Sequence, residues 1–254
     1  LPTIGTDETM HFGFYLYADM PDSDGDDDGN LDDYYSISIL DISESAWHSS
    51  DFNTVDGNSF WCADEDVEGY LDSWIQYLDT PSIPLGSEGE LSARIYYTIE
   101  SKFDDEGNPA EVDGSCTDGW DAANIRISKD GGITWSLLED SLNHPYHFDC
   151  GYGWIWNDDQ YEAGGSLNHL AKGWGGSSNG WADFSADLSE YANQYIIIRF
   201  AFGSDPAYST ANDDLITGFQ VDDITVSDNS GELFSNNGED LVDMTATGEV
   251  WMDQ

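Results

Sequence analysis

The densest run of candidate metal ligands is the segment DSDGDDDGNLDD at 22–33. With Asp24 as position 1, aspartates occupy positions 3 and 5 and Gly29 occupies position 6, as in an EF-type calcium loop. Position 12 is Tyr35, so the usual bidentate glutamate is absent and another acid of the loop would replace it. A solvated acidic loop without a metal is the alternative. We predict calcium bound by these residues: Asp22, Asp24, Asp26, Asp28, Asn30, Asp32 and Asp33.

A second acidic pair, Asp222 and Asp223, lies inside the strand-like segment GFQVDDITV at 218–226. An aspartate that faces the interior needs a partner, because an unpaired buried charge is costly or shifts its pKa. We therefore predict a second metal site on this pair, and a hydrogen bond to loop backbone is the alternative. Its companions would be other loop acids: Asp118, Asp121 and Asp205.

The stretch from 144 to 179 is rich in Gly and Trp and interrupts the strand-like segments. Long loops on a β scaffold often carry binding sites, and apolar ring faces bordered by hydrogen-bond acceptors suit sugars. The alternative is a second small core under the loop, which we expect for at least half of the aromatic side chains here. The predicted ligand-binding residues are Tyr152, Trp154, Trp156 and Trp174.

The chain contains three cysteines, which permit at most one disulfide. Cys116 and Cys150 both lie in Gly- and Asp-rich segments and are the predicted pair, while Cys62 would stay a free thiol. The spacing of His144, His147 and Cys150 is compatible with a transition metal. Because no matching second pair of ligands follows, we expect these histidines to pack or to donate hydrogen bonds.

Motifs for catalysis are absent from the sequence. There is no Gly-x-Ser-x-Gly elbow, no phosphate-binding glycine loop, and no Ser, His and Asp spaced to suggest a triad. A carboxylate pair of the glycosidase type cannot be singled out among 52 acidic residues. We therefore expect a protein without catalytic residues.

The charge of the chain restricts its partners. With 52 acidic and 6 basic residues the formal net charge is -46, so nucleic acid and anionic membrane surfaces are excluded as partners. Aromatic residues make up 14%, which indicates a folded protein instead of an acidic tail. Molar salt, as in the cytoplasm or medium of a halophile, would offset the self-repulsion, and so would calcium bound to a secreted protein. We expect an extracellular location. No apolar run is long enough to predict a membrane-spanning helix.

Alternating apolar residues predict an all-β protein, specifically a jelly-roll β-sandwich with long aromatic and Gly-rich loops. We expect a single sandwich over 1–228, with N-terminal strands and the Asp-rich loop in 1–59, and a C-terminal extension or edge strand over 229–254. A helical turn is expected at 187–192. The predicted strands lie at 12–17, 35–40, 91–99, 124–128, 133–135, 195–202 and 219–226.

Five segments, in order, resemble one family of secreted modules. They are YLDTPSIPL at 77–85, DAANIRISKDGGITW at 121–135, the stretch from GW to DLSEYA at 180–192, IRFAFGSD at 198–205 and GFQVDDI at 218–224. Residues 60–228 resemble the MAM-like jelly-roll modules that accompany immune-inhibitor-A-type metallopeptidases and the related cleaved-adhesin domains. The resemblance implies a sandwich with a structural calcium at the acids of GFQVDDI. It implies no peptidase activity, because His-Glu-x-x-His is absent from this sequence.

These features together predict a non-catalytic, extracellular, calcium-stabilised binding or adhesion module of a secreted or cell-surface protein. Its partner would be a glycan or a cell-surface protein. Two alternatives stay open. One is a structural subunit of a surface layer or extracellular filament, a homo-oligomer built by strand addition at the terminal strands. The other is a secreted hydrolase.

Overall fold

The description of the fold rests on a computed structural model. The described residues all fall within one compact unit that spans 42–254. The strands predicted at 12–17 and 35–40 lie outside the described residues. Only the backbone is described at 111–112, 116–117 and 155–157. The described ranges are 45–101, 111–112, 116–117, 119–139, 142–157 and 170–250.

Strands dominate the described part of the chain. One α-helix, α1 (Tyr152–Asn157), and one 3-10 helix (Ser189–Tyr191) accompany them. No helix in the described ranges has the length and apolar character needed to cross a membrane. In chain order the strands are β1 (Trp47–Ser50), β2 (Ser59–Cys62), β3 (Trp74–Asp79), β4 (Ile83–Pro84), β5 (Glu90–Ile99), β6 (Glu111–Val112), β7 (Cys116–Thr117), β8 (Ala122–Ser128), β9 (Ser136–Leu137), β10 (Gly176–Ser177), β11 (Ala182–Asp187), β12 (Tyr195–Gly203), β13 (Gly218–Asp228), β14 (Gly231–Asn236) and β15 (Thr245–Val250).

Two antiparallel sheets pack face to face, which confirms the predicted β-sandwich. The first sheet has seven strands in the order β1-β2-β13-β5-β10, with β11 also paired to β5 and β14 to β13. The second has six strands in the order β15-β3-β12-β8-β9, with β4 also paired to β12. Strands β6 and β7 form a separate two-stranded ladder. Many neighbours, such as β2 with β13 and β3 with β12, are far apart in sequence, so long-range pairing determines which loops meet.

The core lies between the two sheets and follows from the alternation in the sequence. Along β5 every second residue is buried, including Leu91, Ile95 and Tyr97, because successive side chains of a strand point to opposite faces. Phe200 of β12 and Phe219 of β13 are also fully buried in this core. Aromatic residues therefore fill much of the space between the sheets.

Strand β8 is buried on both faces, because the long excursion covers the outer face of the second sheet. Trp154 and Ala171 of the excursion pack against Ala122 of β8 and Ala201 of β12 in a separate apolar cluster. The Asn124 side-chain amide of β8 donates to the carbonyls of Leu170 and Lys172, at 2.8 and 2.7 Å. The excursion is thus bonded to the sheet along its outer face.

Residues after 228 contribute to both sheets. Strand β14 pairs with β13 of the first sheet, and β15 pairs with β3 of the second. The stretch expected to be an extension or an edge strand thus forms β14 and β15, and β15 is the strand at the end of the second sheet.

Candidate functional site

Three acidic side chains from both sheets meet at one end of the sandwich. Glu100 directly follows β5, Asp121 directly precedes β8, and Asp205 lies two residues after β12. Each offers a carboxylate oxygen, and these three oxygens lie within 4.8 Å of one another. Since β5 belongs to the first sheet and β8 and β12 are neighbours in the second, this acidic triad joins the two sheets.

Asp121 is the central residue of the acidic triad. Its side chain is almost fully enclosed, with 1% of the residue exposed. Oδ1 accepts the backbone N–H of Asp205 at 2.7 Å. Oδ2 is also buried and has no hydrogen-bond partner of acceptable geometry among the described residues. A carboxylate oxygen buried in this way is costly unless a cation or a proton offsets its charge.

The raised pKa values of Asp121 and Asp205 indicate that a bound cation would stabilise the triad. Burial raises the pKa of Asp121 well above its usual range, and the adjacent Asp205 carboxylate raises it further. The Tyr70 hydroxyl beside the carboxyl and the Asp205 N–H act in the opposite direction. Burial also raises the pKa of Asp205, with a contribution from Asp72. A divalent cation would favour the ionised form of both carboxyls.

Tyr70 supports the triad from the first-sheet side. Its hydroxyl accepts the backbone N–H of Glu100 at 2.9 Å, which places Glu100 at the end of β5. Burial and the Asp121 charge raise the pKa of this phenol well above its ordinary value. The Tyr70 ring packs edge-on against Phe202 of β12, with ring centroids 5.0 Å apart. Tyr70 therefore contacts Glu100 through its hydroxyl and Phe202 of the second sheet through its ring.

The chemistry of this donor set suits a hard cation. Three carboxylates supply oxygen ligands only, whereas zinc sites usually include Cys or His. Calcium takes six to eight oxygens at about 2.3–2.6 Å, so backbone carbonyls and water would complete its coordination. Glu100, Asp121 and Asp205 are the residues that would hold the ion.

Asp222 and Asp223 do not join the acidic triad, contrary to the prediction that Asp121 and Asp205 are their companions. They lie on β13, on the outer face of the first sheet, beside a cavity of about 190 Å³. In the described part of the chain, the acids around this cavity do not approach closely enough to form a metal-binding group. The physical reason is strand pairing, since Asp222 is opposite Arg94 of β5. Burial raises the pKa of Asp222 to about 6.

The predicted aromatic platform is wrong for two of its members. Trp154 is 2% exposed and Trp174 is 0% exposed, so neither ring face is available to a sugar. Trp174 packs in the main core against Tyr97 and Tyr146, with centroids 6.0 and 4.8 Å apart. Trp154 lies beneath the Arg126 guanidinium, 4.7 Å from the ring centroid. These indoles are buried because they fill the volume between the excursion and the sheets.

The two remaining members of the predicted platform have different positions. Tyr152 is half-buried and packs edge-on against Trp120, with centroids 5.2 Å apart. The side chain of Trp156 lies outside the described residues, and so does the whole Asp-rich loop. The calcium ligands predicted at Asp22, Asp24, Asp26, Asp28, Asn30, Asp32 and Asp33 therefore stay a prediction.

The cysteines and histidines contribute to structure. Cys150 is disulfide-bonded, and Cys62 is free and buried. The side chain of Cys116, the predicted partner, lies outside the described residues. His144 shares a hydrogen bond of 2.9 Å with the Tyr97 hydroxyl, and His147 shares one of 3.1 Å with the Gly175 carbonyl. The histidine pair is therefore occupied within the fold, as expected.

Sequence analysis missed Glu100 and Tyr70 at the triad. A usable signal was present, because Glu100 immediately follows the most regular alternating segment of the chain and so must lie at a strand end. No protein-family model matches the chain, and the search of curated proteins finds no similar protein. The resemblance to MAM-like modules therefore stays a prediction.

Proposed function

We propose that this chain is a non-catalytic, extracellular binding or adhesion module whose β-sandwich is stabilised by calcium. The observation that carries the calcium part is the buried Asp121 carboxylate, which lies beside two further carboxylates and whose Oδ2 has no hydrogen bond of acceptable geometry among the described residues, the adjacent Tyr70 hydroxyl included. A calcium ion there would neutralise charge between the two sheets. It would act on the free energy of unfolding, because the unfolded chain does not hold these three residues together.

The hydrolase alternative is not favoured by the geometry of the acidic triad. A hydrolase of the glycosidase type needs a pair of carboxyl groups with perturbed pKa values in an open cleft. Asp121 and Asp205 do have raised pKa values, yet only 1% and 7% of these residues are exposed. A substrate would not reach carboxyl groups buried to this degree, whereas a bare ion would.

Two further features support an extracellular binding role. The disulfide at Cys150 is typical of oxidising compartments. The net charge of -46 suits a salty medium and leaves glycans or cell-surface proteins as the plausible partners.

Calcium stabilisation is tested by thermal unfolding of the full chain in calcium and in EDTA, at one fixed NaCl concentration. We expect calcium to raise the Tm of the wild type, and Asp121→Asn and Asp205→Asn to abolish most of this rise. Asp214→Asn is the matched control, because it makes the same chemical change on an exposed loop and should keep the full rise. Asp24→Asn tests the contribution of the Asp-rich loop to the calcium response separately, because it removes a predicted ligand there and leaves the acidic triad intact. Equal calcium responses of the wild type and of both triad variants would refute the triad as the site.

Strand addition remains a second candidate role, favoured by the position of β15. This strand is at the end of its sheet and pairs only with β3 in the part of the chain that the structure describes. Edge strands present backbone groups that a neighbouring chain can pair with. Light scattering at native salt and calcium tests it: concentration-dependent assembly supports the role, and dispersed monomers refute it.

A further inference from the structure

Arg94 and Asp222 are directly opposite each other on β5 and β13, on the outer face of the first sheet. Opposite charges at such positions usually approach each other and stabilise the pair of strands. Here no Arg94 nitrogen comes within 4.0 Å of a carboxylate oxygen in the part of the chain that the structure describes. The gap between the two side chains is part of a cavity.

This cavity, the outer cleft, has a volume of about 190 Å³ and combines acceptors with donors. It lies between four segments: the loop after β1, strand β5, the centre of β13, and the turn after β14. Four carboxylates, one guanidinium and one carboxamide line it: Asp56, Asp222, Asp223, Glu239, Arg94 and Asn237.

Two of these groups have hydrogen-bonding capacity that no described residue uses. Asp222 is 5% exposed, and its Oδ1 accepts the backbone N–H of Asp223 at 2.7 Å. Its other carboxylate oxygen receives no hydrogen bond from any described residue. Among the described residues the Arg94 guanidinium, with up to five N–H donors, forms no side-chain hydrogen bond; it lies over the face of the Trp181 ring, 5.5 Å from the centroid, and its charge acts on Asp222. The outer cleft thus contains an unused acceptor facing unused donors.

The walls of the outer cleft are fixed by the fold. Glu239 Oε1 accepts the backbone N–H of Asn58 at 3.2 Å, and the Ser49 hydroxyl donates to the Gly238 carbonyl at 2.5 Å. A Cβ at Gly57 would collide with the Glu239 carboxylate, so glycine there permits the close approach. Opposite them, β13 is irregular between Asp222 and Thr225. These contacts hold Glu239 and the turn after β14 in place before any ligand arrives.

The mixture of groups selects a class of ligand. Sugar hydroxyls both donate and accept, so one ring can donate to the carboxylates and accept from Arg94 and Asn237. Four carboxylates disfavour an anion, and the guanidinium disfavours a simple cation. The volume lies below the roughly 300–1,000 Å³ of drug-sized sites, which suits one ring. We propose that the outer cleft binds the terminal hexose of a neutral glycan, an inference that rests on the proposed binding function.

The test is saturation-transfer NMR on the full chain, in saturating calcium and high NaCl, with methyl glycosides of glucose, galactose and mannose as probes. We expect at least one methyl hexoside to bind the wild type. Arg94→Gln and Asp222→Asn should each weaken that binding at least tenfold without loss of folding. Asp222→Asn is isosteric, so it remains informative if Arg94→Gln disturbs the sheet. Asp214→Asn is the control and should bind as the wild type does.

The inference is overturned by three results: no methyl hexoside binds, binding persists in both variants, or n-butylammonium binds and the hexosides do not. The last result would mean that the outer cleft selects a cation. The calcium-dependent rise in Tm does not involve this cleft. If calcium raises the Tm and no hexoside binds, only the glycan inference is refuted. If a hexoside binds and calcium does not raise the Tm, only the calcium part of the proposed function is refuted.

Discussion

The backbone N–H of Asp205 donates to Oδ1 of Asp121 at 2.7 Å, and this bond links the loop after β12 to the residue before β8. It brings two acidic side chains together in the interior, where their charges repel. The bond uses Oδ1 of Asp121, while Oδ2 is buried without a hydrogen bond of acceptable geometry among the described residues. We therefore expect a cation bound at the acidic triad, as proposed, to stabilise the fold that enforces this approach.

Asp121→Asn should therefore have opposite effects in EDTA and in calcium. In EDTA the variant removes a buried charge while its amide oxygen can still accept the Asp205 N–H. We expect the free energy of unfolding to rise by roughly 1–3 kcal/mol. In calcium the variant lacks a ligand and should be less stable than the wild type. Urea unfolding at pH 7 and constant NaCl measures both. A decrease of the same size in both conditions would mean that no cation binds at Asp121.

The pH dependence of stability should reveal the burial of Asp222. Its pKa in the folded chain is about 6, above the ordinary value of 3.8, so between these values the folded state keeps a proton that the unfolded state loses. The contribution to stability is thus complete below pH 4 and is lost as the pH rises through 6. We expect the wild type to lose stability relative to Asp222→Asn across this window, by urea unfolding in EDTA. A constant difference between pH 4 and 7 would show that Asp222 is solvated.

Local pattern predicted several strands to within two residues. The alternating segments at 91–99, 195–202 and 219–226 correspond to β5, β12 and β13. The strand predicted at 133–135 is wrong, because Asp130 Oδ1 accepts the N–H groups of Ile133 and Thr134, at 3.1 and 2.9 Å. These bonds extend the turn, and the ladder resumes only at Ser136. An Asp-Gly-Gly sequence is typical of a turn but does not indicate how long the turn is.

The candidate site could not be predicted in full, because its residues are brought together by contacts between strands that lie far apart in the sequence. Asp121 and Asp205 were recognised as candidate ligands, yet they were grouped with Asp222 and not with Glu100. Which acids meet is decided by the pairing of β8 with β12 and by the packing of β5 across the sandwich. Hydrophobic alternation in one strand contains no information on either contact, so the grouping required the fold.

Arg199→Lys should destabilise the outer face of the second sheet, although it conserves charge. The Arg199 guanidinium donates two hydrogen bonds to Asp79, at 2.7 and 2.8 Å. It also lies between two rings, 3.7 Å from the Trp135 centroid and 4.0 Å from that of Tyr77. Lysine reproduces neither the paired bonds nor the stacking, so we expect a loss of about 1–3 kcal/mol in urea unfolding.

The control for this change is Lys129→Arg, which exchanges the same two residue types at an exposed position of the adjacent turn. It should leave the free energy of unfolding unchanged within about 0.5 kcal/mol. If Arg199→Lys is equally neutral, the aromatic stack and the paired hydrogen bonds contribute nothing to stability.

Asp223→Ala and Asp223→Gly should differ in stability although both remove the same carboxylate. Asp223 has a φ of 50°, in the left-handed region, at the irregularity of β13 beside the outer cleft. Glycine adopts this conformation freely, whereas alanine is strained by its Cβ. We expect Asp223→Ala to be about 1 kcal/mol less stable than Asp223→Gly in urea unfolding. Equal stabilities of the two variants would mean that β13 relaxes to a regular strand when Asp223 is replaced. The shape of the outer cleft would then depend on the Asp223 side chain and not on the backbone.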